Sequence, residues 1–169
     1  FSIPSRGLFG YRSEFMTDTR GEGVMNAIFD GYAPYKGDIP TRVCGSLVAF
    51  ESGETTSYAL FYIQDRGELF VGPGVQVYSG MIVGRSSRPG DIDVNVCKKK
   101  HLTSIRNAAG AEEALKITSL RELTLEEAME FITDDELVEI TPKSFRMRKR
   151  ELSAANRKKM LAHKDDNNN

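Results

Sequence analysis

The sequence has no tryptophan, only two cysteines and two histidines, and no apolar run near the 18 residues that a membrane-spanning helix needs. Cys44 and Cys97 lie far apart and form no C-x-x-C pair, and His101 and His163 are the only imidazoles. A secreted domain built on disulfides and a structural zinc site are both excluded by that inventory. No signal-peptide core is present, so the expected setting is reducing, aqueous and cytoplasmic, with no membrane partner. Catalytic motifs are missing too. There is no G-x-x-x-x-G-K-[ST] and no Gly-Lys dipeptide anywhere, hence no phosphate-binding loop. Gly72-Pro73-Gly74 and Gly21-Glu22-Gly23 lack the third glycine of a dinucleotide fingerprint, and neither H-E-x-x-H nor G-x-S-x-G occurs. No catalytic residue, metal ligand or cofactor is therefore expected, and the chain is not expected to act as an enzyme.

What is present is segregated charge. The 169 residues carry a formal net charge of −1, yet ten acidic residues between Glu112 and Glu139 face only Lys116 and Arg121. Between Thr141 and Lys164, nine Lys or Arg residues face Glu151 alone. Such asymmetry points to a polyanionic partner more than an even balance would. The clusters Glu126-Glu127 and Asp134-Asp135-Glu136 read as a solvated helix start and an acidic loop, with no acid–base chemistry assigned to them.

Periodicity and punctuation predict an α+β chain. Leu8, Tyr11, Arg12, Phe15, Met16 and Thr19 share a stripe of a helix from Pro4 to Thr19, stopped by Gly21 and Gly23, and Val24 to Tyr32 alternates like a strand. Pro34, Gly37 and Pro40 mark a boundary, giving residues 1–35, then a mainly β module over 36–160 with two or three helices, then a disordered tail over 161–169. Within the module, Leu47 to Phe50, Leu69 to Val71, Val75 to Val77, Met81 to Val83, Ile92 to Val96, Glu136 to Ile140 and Ser144 to Arg148 read as strands, and Ser52-Gly53-Glu54 as a turn. Thr56 caps a helix from Ser57 to Arg66 with Ala59, Leu60, Ile63 and Tyr62 inward. Thr124 and Glu127 form a capping box opening a helix from Leu125 to Thr133, and Ser153 to Ala162 reads as a short basic helix. The chain opens on Phe1 and enters an apolar pattern at once, as an excised piece of a larger protein would.

Two basic patches are the candidate sites. In the first, Lys98, Lys99, Lys100, His101, Thr103, Ser104, Arg106 and Asn107 combine mobile point charges, a planar guanidinium and short hydrogen-bonding groups. With no aromatics among them to stack bases, the mixture suits structured RNA read by backbone and shape. In the second, Arg146, Arg148 and Arg150 fall on one face of a strand at about 7 Å spacing, with Lys149, Lys143, Arg157, Lys158, Lys159 and Lys164 adding charge and Phe145 and Met147 turned to the core. The competing reading is internal neutralisation by the acidic block nearby. Leu152, Met160 and Leu161 are too few anchors for a membrane-surface helix.

Collinear segments then identify a relationship. Pro4-Ser5-Arg6-Gly7-Leu8-Phe9-Gly10-Tyr11-Arg12-Ser13-Glu14-Phe15, Thr17-Asp18-Thr19-Arg20-Gly21, Gln64-Asp65-Arg66-Gly67, Val77-Tyr78-Ser79-Gly80-Met81-Ile82-Val83-Gly84, Asp93-Val94-Asn95-Val96 and Asp135-Glu136-Leu137-Val138-Glu139 resemble the TypA/BipA family of ribosome-associated translational GTPases, relatives of elongation factor G. The resemblance implies that residues 1–35 are the second half of a ferredoxin-like domain and residues 36–160 the family's carboxy-terminal module. It implies partners as well: large-subunit ribosomal RNA and the acceptor end of tRNA in the A site, met by the loop matching Lys98 to Asn107, in ribosome assembly and translation under stress. GTP and Mg²⁺ are implied only for an amino-terminal domain outside this sequence. Where the family pattern has Asn, this chain has Ser104, which lacks the two-sided amide of Asn. The alternative expectation is a protein-interaction module, with dimerisation through Leu8, Phe15 and Met16 of the first helix.

Overall fold

The structure is a computed structural model that describes residues 1–8, 11–37, 42–100 and 116–166, without the side chains of residues 13 and 163–166. The first helix is shorter than its apolar stripe suggests: a 3-10 turn at Ser5–Leu8, then α1 at Tyr11–Asp18. Arg20, at φ 55°, takes the left-handed position after α1, where Arg20 N–H donates to the Thr17 carbonyl and Gly21 N–H to that of Met16. Residues 24–32 do not form the expected strand. Alternation is present, but a strand is held by a neighbour's ladder, and no described segment pairs with this one. Its apolar side chains stay in solvent, with Ile28 93% and Tyr32 99% exposed.

The module that follows is α+β as expected. Strands β1 (Ser46–Ala49), β3 (Gly67–Leu69), β5 (Ile82–Ser86) and β6 (Ile92–Val94) make one sheet in the order β3-β5-β1-β6. β1 runs antiparallel to β5 and parallel to the edge strand β6. The expected turn at 52–54 is instead β2 (Gly53–Glu54), paired with β4 (Gln76–Val77). Helices are α2 (Ser57–Ile63, continued by a 3-10 turn at Gln64–Arg66) and α3 (Leu125–Phe131). The hairpin β7 (Glu136–Ile140) and β8 (Phe145–Lys149) precedes α4 (Ala154–Asp166). α4 reaches Asp166, so the expected disordered tail is helical over 161–166.

Alternation on the central strands explains the layering. Leu47, Ala49 and Val83 face α2, joining Leu60, Ile63, Leu69, Val77, Val94 and Val96 in one core. Ile82 faces the other way and packs with Ala128 and Met147 beneath Phe70, Phe131 and Val138. The sheet is thus covered on both faces, which is why β1 is buried at all four positions.

Candidate nucleic-acid interface

Strand β6 ends at the buried Val94, Val96 just beyond it is buried too, at 3% and 1% exposure, and the chain then emerges into solvent as Lys98, Lys99 and Lys100. The exit is fixed by Thr56. Its N–H donates to the Val96 carbonyl at 3.0 Å and its hydroxyl to the Lys98 carbonyl at 2.6 Å. The same hydroxyl oxygen accepts from Ala59 N–H at 3.1 Å and so caps α2. On the far side, the Gln64 side-chain amide donates to the Lys116 carbonyl at 3.4 Å and accepts from Thr118 N–H at 3.0 Å. The two ends of α2 therefore hold both flanks of residues 101–115. His101, Thr103, Ser104, Arg106 and Asn107 lie in that segment, outside the described residues. The ammonium groups of Lys98, Lys99 and Lys100 are exposed and make no hydrogen bond or ion pair with any described residue. Beside them, burial pushes the Cys97 thiol up, with Glu51 adding to it, so the thiol stays neutral.

The second patch divides. The alternation that turns Phe145 and Met147 inward carries Lys149 with them, and Lys149 is 2% exposed. Its ammonium meets Asp91 at 2.5 Å, Glu136 at 2.8 Å and Asp135 at 2.9 Å. Lys149 is therefore no phosphate ligand here, contrary to expectation. Glu136, with its side chain fully buried, also accepts from the Ser46 hydroxyl at 2.6 Å and from Arg42 at 3.0 Å, whose guanidinium lies 4.0 Å over the Phe131 ring. Burial raises the Glu136 and Asp135 carboxyls, but hydrogen bonds outweigh it, from Lys149 and Ser46 to Glu136 and from Lys149 and Thr133 to Asp135, and both titrate below their ordinary range. Burial disfavours the Lys149 ammonium, yet hydrogen bonds to Asp135, Asp91 and Glu136 prevail and raise it.

Arg148 is likewise engaged: its Nε donates to Glu139 at 2.5 Å. Glu139 also accepts from the Tyr78 hydroxyl at 2.6 Å. Burial and that hydrogen bond push the Tyr78 phenol up to about 12. Arg157 pairs with Asp93 of β6 and donates to the carbonyls of Glu151 and Leu152, tying α4 to the sheet edge. Arg146 and Arg150, with Lys143, Lys158 and Lys159, remain exposed and form no salt bridge to a described residue. The expected row of three outward arginines is thus two, interrupted by the Arg148–Glu139 pair.

The first patch carries no aromatics of its own, but the fold brings two beside Lys98 from about 40 residues away. Tyr58 and Tyr62, one turn apart on α2, line a cleft of about 350 Å³ together with Arg66, Asp93, Asn95 and Lys98. Tyr62 is expected inward with Ala59, Leu60 and Ile63, but those three fill the buried face of α2 and leave Tyr62 59% exposed.

Residues 44–154 match the family model of the TypA/BipA C-terminal domain, and residues 1–43 that of the elongation factor G C-terminus. The Large ribosomal subunit assembly factor BipA of Synechocystis sp. is 51% identical over 149 residues, 88% of this chain and 25% of that protein. The Putative elongation factor TypA-like SVR3, chloroplastic, of Arabidopsis thaliana is 48% identical over 154 residues, 91% of this chain and 22% of that protein. The Bacillus subtilis Large ribosomal subunit assembly factor BipA is 44% identical over 165 residues, 97% of this chain and 27% of its own. The chain spans about a quarter of the length of these relatives. No helix among the described residues is long and apolar enough to cross a membrane.

Proposed function

The chain belongs to the TypA/BipA family, and from that we propose that it is the ribosome- and RNA-binding carboxy-terminal region of a translational GTPase. In this reading it contacts large-subunit ribosomal RNA and the acceptor end of tRNA in the A site, and serves ribosome assembly and stress-adapted translation. The relatives' names, which describe a large-subunit assembly factor, support the setting. The observation that carries the reading is the free lysine run at the end of β6: three ammonium groups unengaged by described carboxylates, on a backbone pinned by Thr56. The chain has no phosphate-binding loop, so no step of GTP hydrolysis is assigned to its residues.

Filter binding of the chain to isolated large ribosomal subunits tests this. Six or more phosphate contacts lower affinity by roughly 10³-fold or more between about 50 and 200 mM salt. Affinity that ignores salt would sink the reading.

Self-association is the second reading, favoured by Val24, Ile28, Phe29 and Tyr32, which are 75–99% exposed. The expected first-helix face is less suited, since Leu8 and Phe15 are half-buried and Met16 is 39% exposed. Light scattering should then show a mass that rises with concentration and returns to the monomer value in an Ile28→Ser, Phe29→Ser variant. A monomer at all concentrations would dismiss it.

A further inference from the structure

We propose that the cleft on the solvent side of α2 takes a single unstacked nucleotide of RNA, its base against the Tyr62 ring and its phosphate at Lys98 and Arg66. The proposal rests on the RNA-binding reading above and adds to it a base-contacting subsite. Tyr62 is 59% exposed, a large ring left in water beside a well-formed core. Its ring stands edge-on to that of Tyr58, centroids 4.9 Å apart at 66°, so the pair forms a fixed corner. Neither phenol has a hydrogen-bond partner among the described residues, and the Asn95 amide nitrogen has none either, although its oxygen accepts from Cys97 N–H.

Charge favours a phosphate. Arg66 and Lys98 are exposed cations that line the cleft and form no salt bridge to a described residue. Asp93 is the acidic residue in the lining, and Arg157 neutralises it. Lys99 and Lys100 continue the positive potential along the chain from Lys98. An aromatic face flanked by cations is how unpaired bases are held without sequence readout, and each stacked base contributes substantially to affinity. A fully paired duplex offers no such base, because its rings are stacked on one another.

The test uses the whole chain and two RNA duplexes, one fully paired and one identical but for a single bulged 2-aminopurine. The chain should bind the bulged duplex about tenfold more tightly, with the 2-aminopurine emission quenched on binding. Tyr62→Ala should erase the preference and the quenching, and Tyr62→Phe should restore both; a native circular dichroism spectrum and retained salt-sensitive binding of the paired duplex show that the Ala variant is still folded. Replacing Lys98, Lys99 and Lys100 by Ala should weaken the two duplexes together. Equal binding of both duplexes by the unmodified chain, or a preference that survives Tyr62→Ala, overturns the proposal while leaving the lysine contacts intact. No salt-sensitive binding to either duplex overturns the RNA-binding reading itself, and the subsite with it.

Discussion

Lys149 and Lys98 show how the same side chain meets opposite surroundings. Lys149 ends a strand whose alternation drives it inward, where it meets Asp91, Asp135 and Glu136 and is 2% exposed. Of these only Glu136 is buried, and it keeps Arg42 when the lysine is removed, so Lys149→Ala should lower stability by about 3 kcal/mol, the low end for breaking a buried pair. Denaturant titration monitored by circular dichroism measures this; a loss under about 1 kcal/mol, the size of a surface pair, would contradict it. The pH dependence follows in sign. Asp135 and Glu136 titrate below their ordinary values of 3.8 and 4.5, so their contribution is complete above those values and disappears as pH falls through the lowered ones. Lys149 titrates above its ordinary 10.5, so its contribution is complete below that value and disappears as pH rises beyond it. The melting temperature should therefore hold from neutrality down to about pH 5 and then fall, and Glu136→Gln should make that acid fall shallower. An acid limb of the same steepness in the variant would show that Glu136 is not the group responsible. In sequence Lys149 sits in a run of basic residues, yet it shares the strand phase of Phe145 and Met147 and so turns inward with them. Lys98, by contrast, was legible, since a run of three lysines has no inward side to occupy.

Elements whose signals are local were the readable ones. Thr124 and Glu127 meet as the spacing implies: Thr124 N–H donates to the Glu127 carboxylate at 2.8 Å and Glu127 N–H to the Thr124 hydroxyl at 3.2 Å. The Thr124 N–H bond, with the one from Arg121, holds the Glu127 carboxyl below its ordinary range. Thr124→Ala should cost about 1 kcal/mol of stability, read as a shift of the denaturant midpoint without change of slope. An unchanged midpoint would mean that the box is decorative. The α2 cap at Thr56 and the strands β7 and β8 were legible for the same reason, and their pairing with each other came with the fold. Residues 24–32 and the pairing of β2 with β4 were not. A strand's hydrogen bonds are made with a distant segment, and alternation states which side is apolar without stating that a neighbour exists. Gly80 marks one such distant contact: at φ 87°, a Cβ there would lie 2.7 Å from the Leu152 side chain, so the turn and the entry to α4 share one space.

Across the molecule, charge segregation in sequence becomes charge sorting in space. Part of the basic tail is neutralised by acidic residues, as Arg148–Glu139, Lys149 with its three carboxylates and Arg157–Asp93 show. Among the described cations that stay outward are Lys98 to Lys100 with Arg66, and separately Arg146, Arg150, Lys143, Lys158 and Lys159. The sheet order β3-β5-β1-β6 puts the lysine run on an edge and next to α2, a neighbourhood no local pattern encodes. That is also why the tyrosines of α2 entered the site only with the fold.

The most direct measurement is the salt dependence of binding to large ribosomal subunits for the chain and for its Lys98→Ala, Lys99→Ala, Lys100→Ala variant. If these three side chains neutralise phosphates, the logarithmic salt slope of the variant should be shallower by about 2 to 3, with its melting temperature unchanged. Identical slopes for the two proteins would contradict the account, since the cations on which it rests would then not be touching nucleic acid.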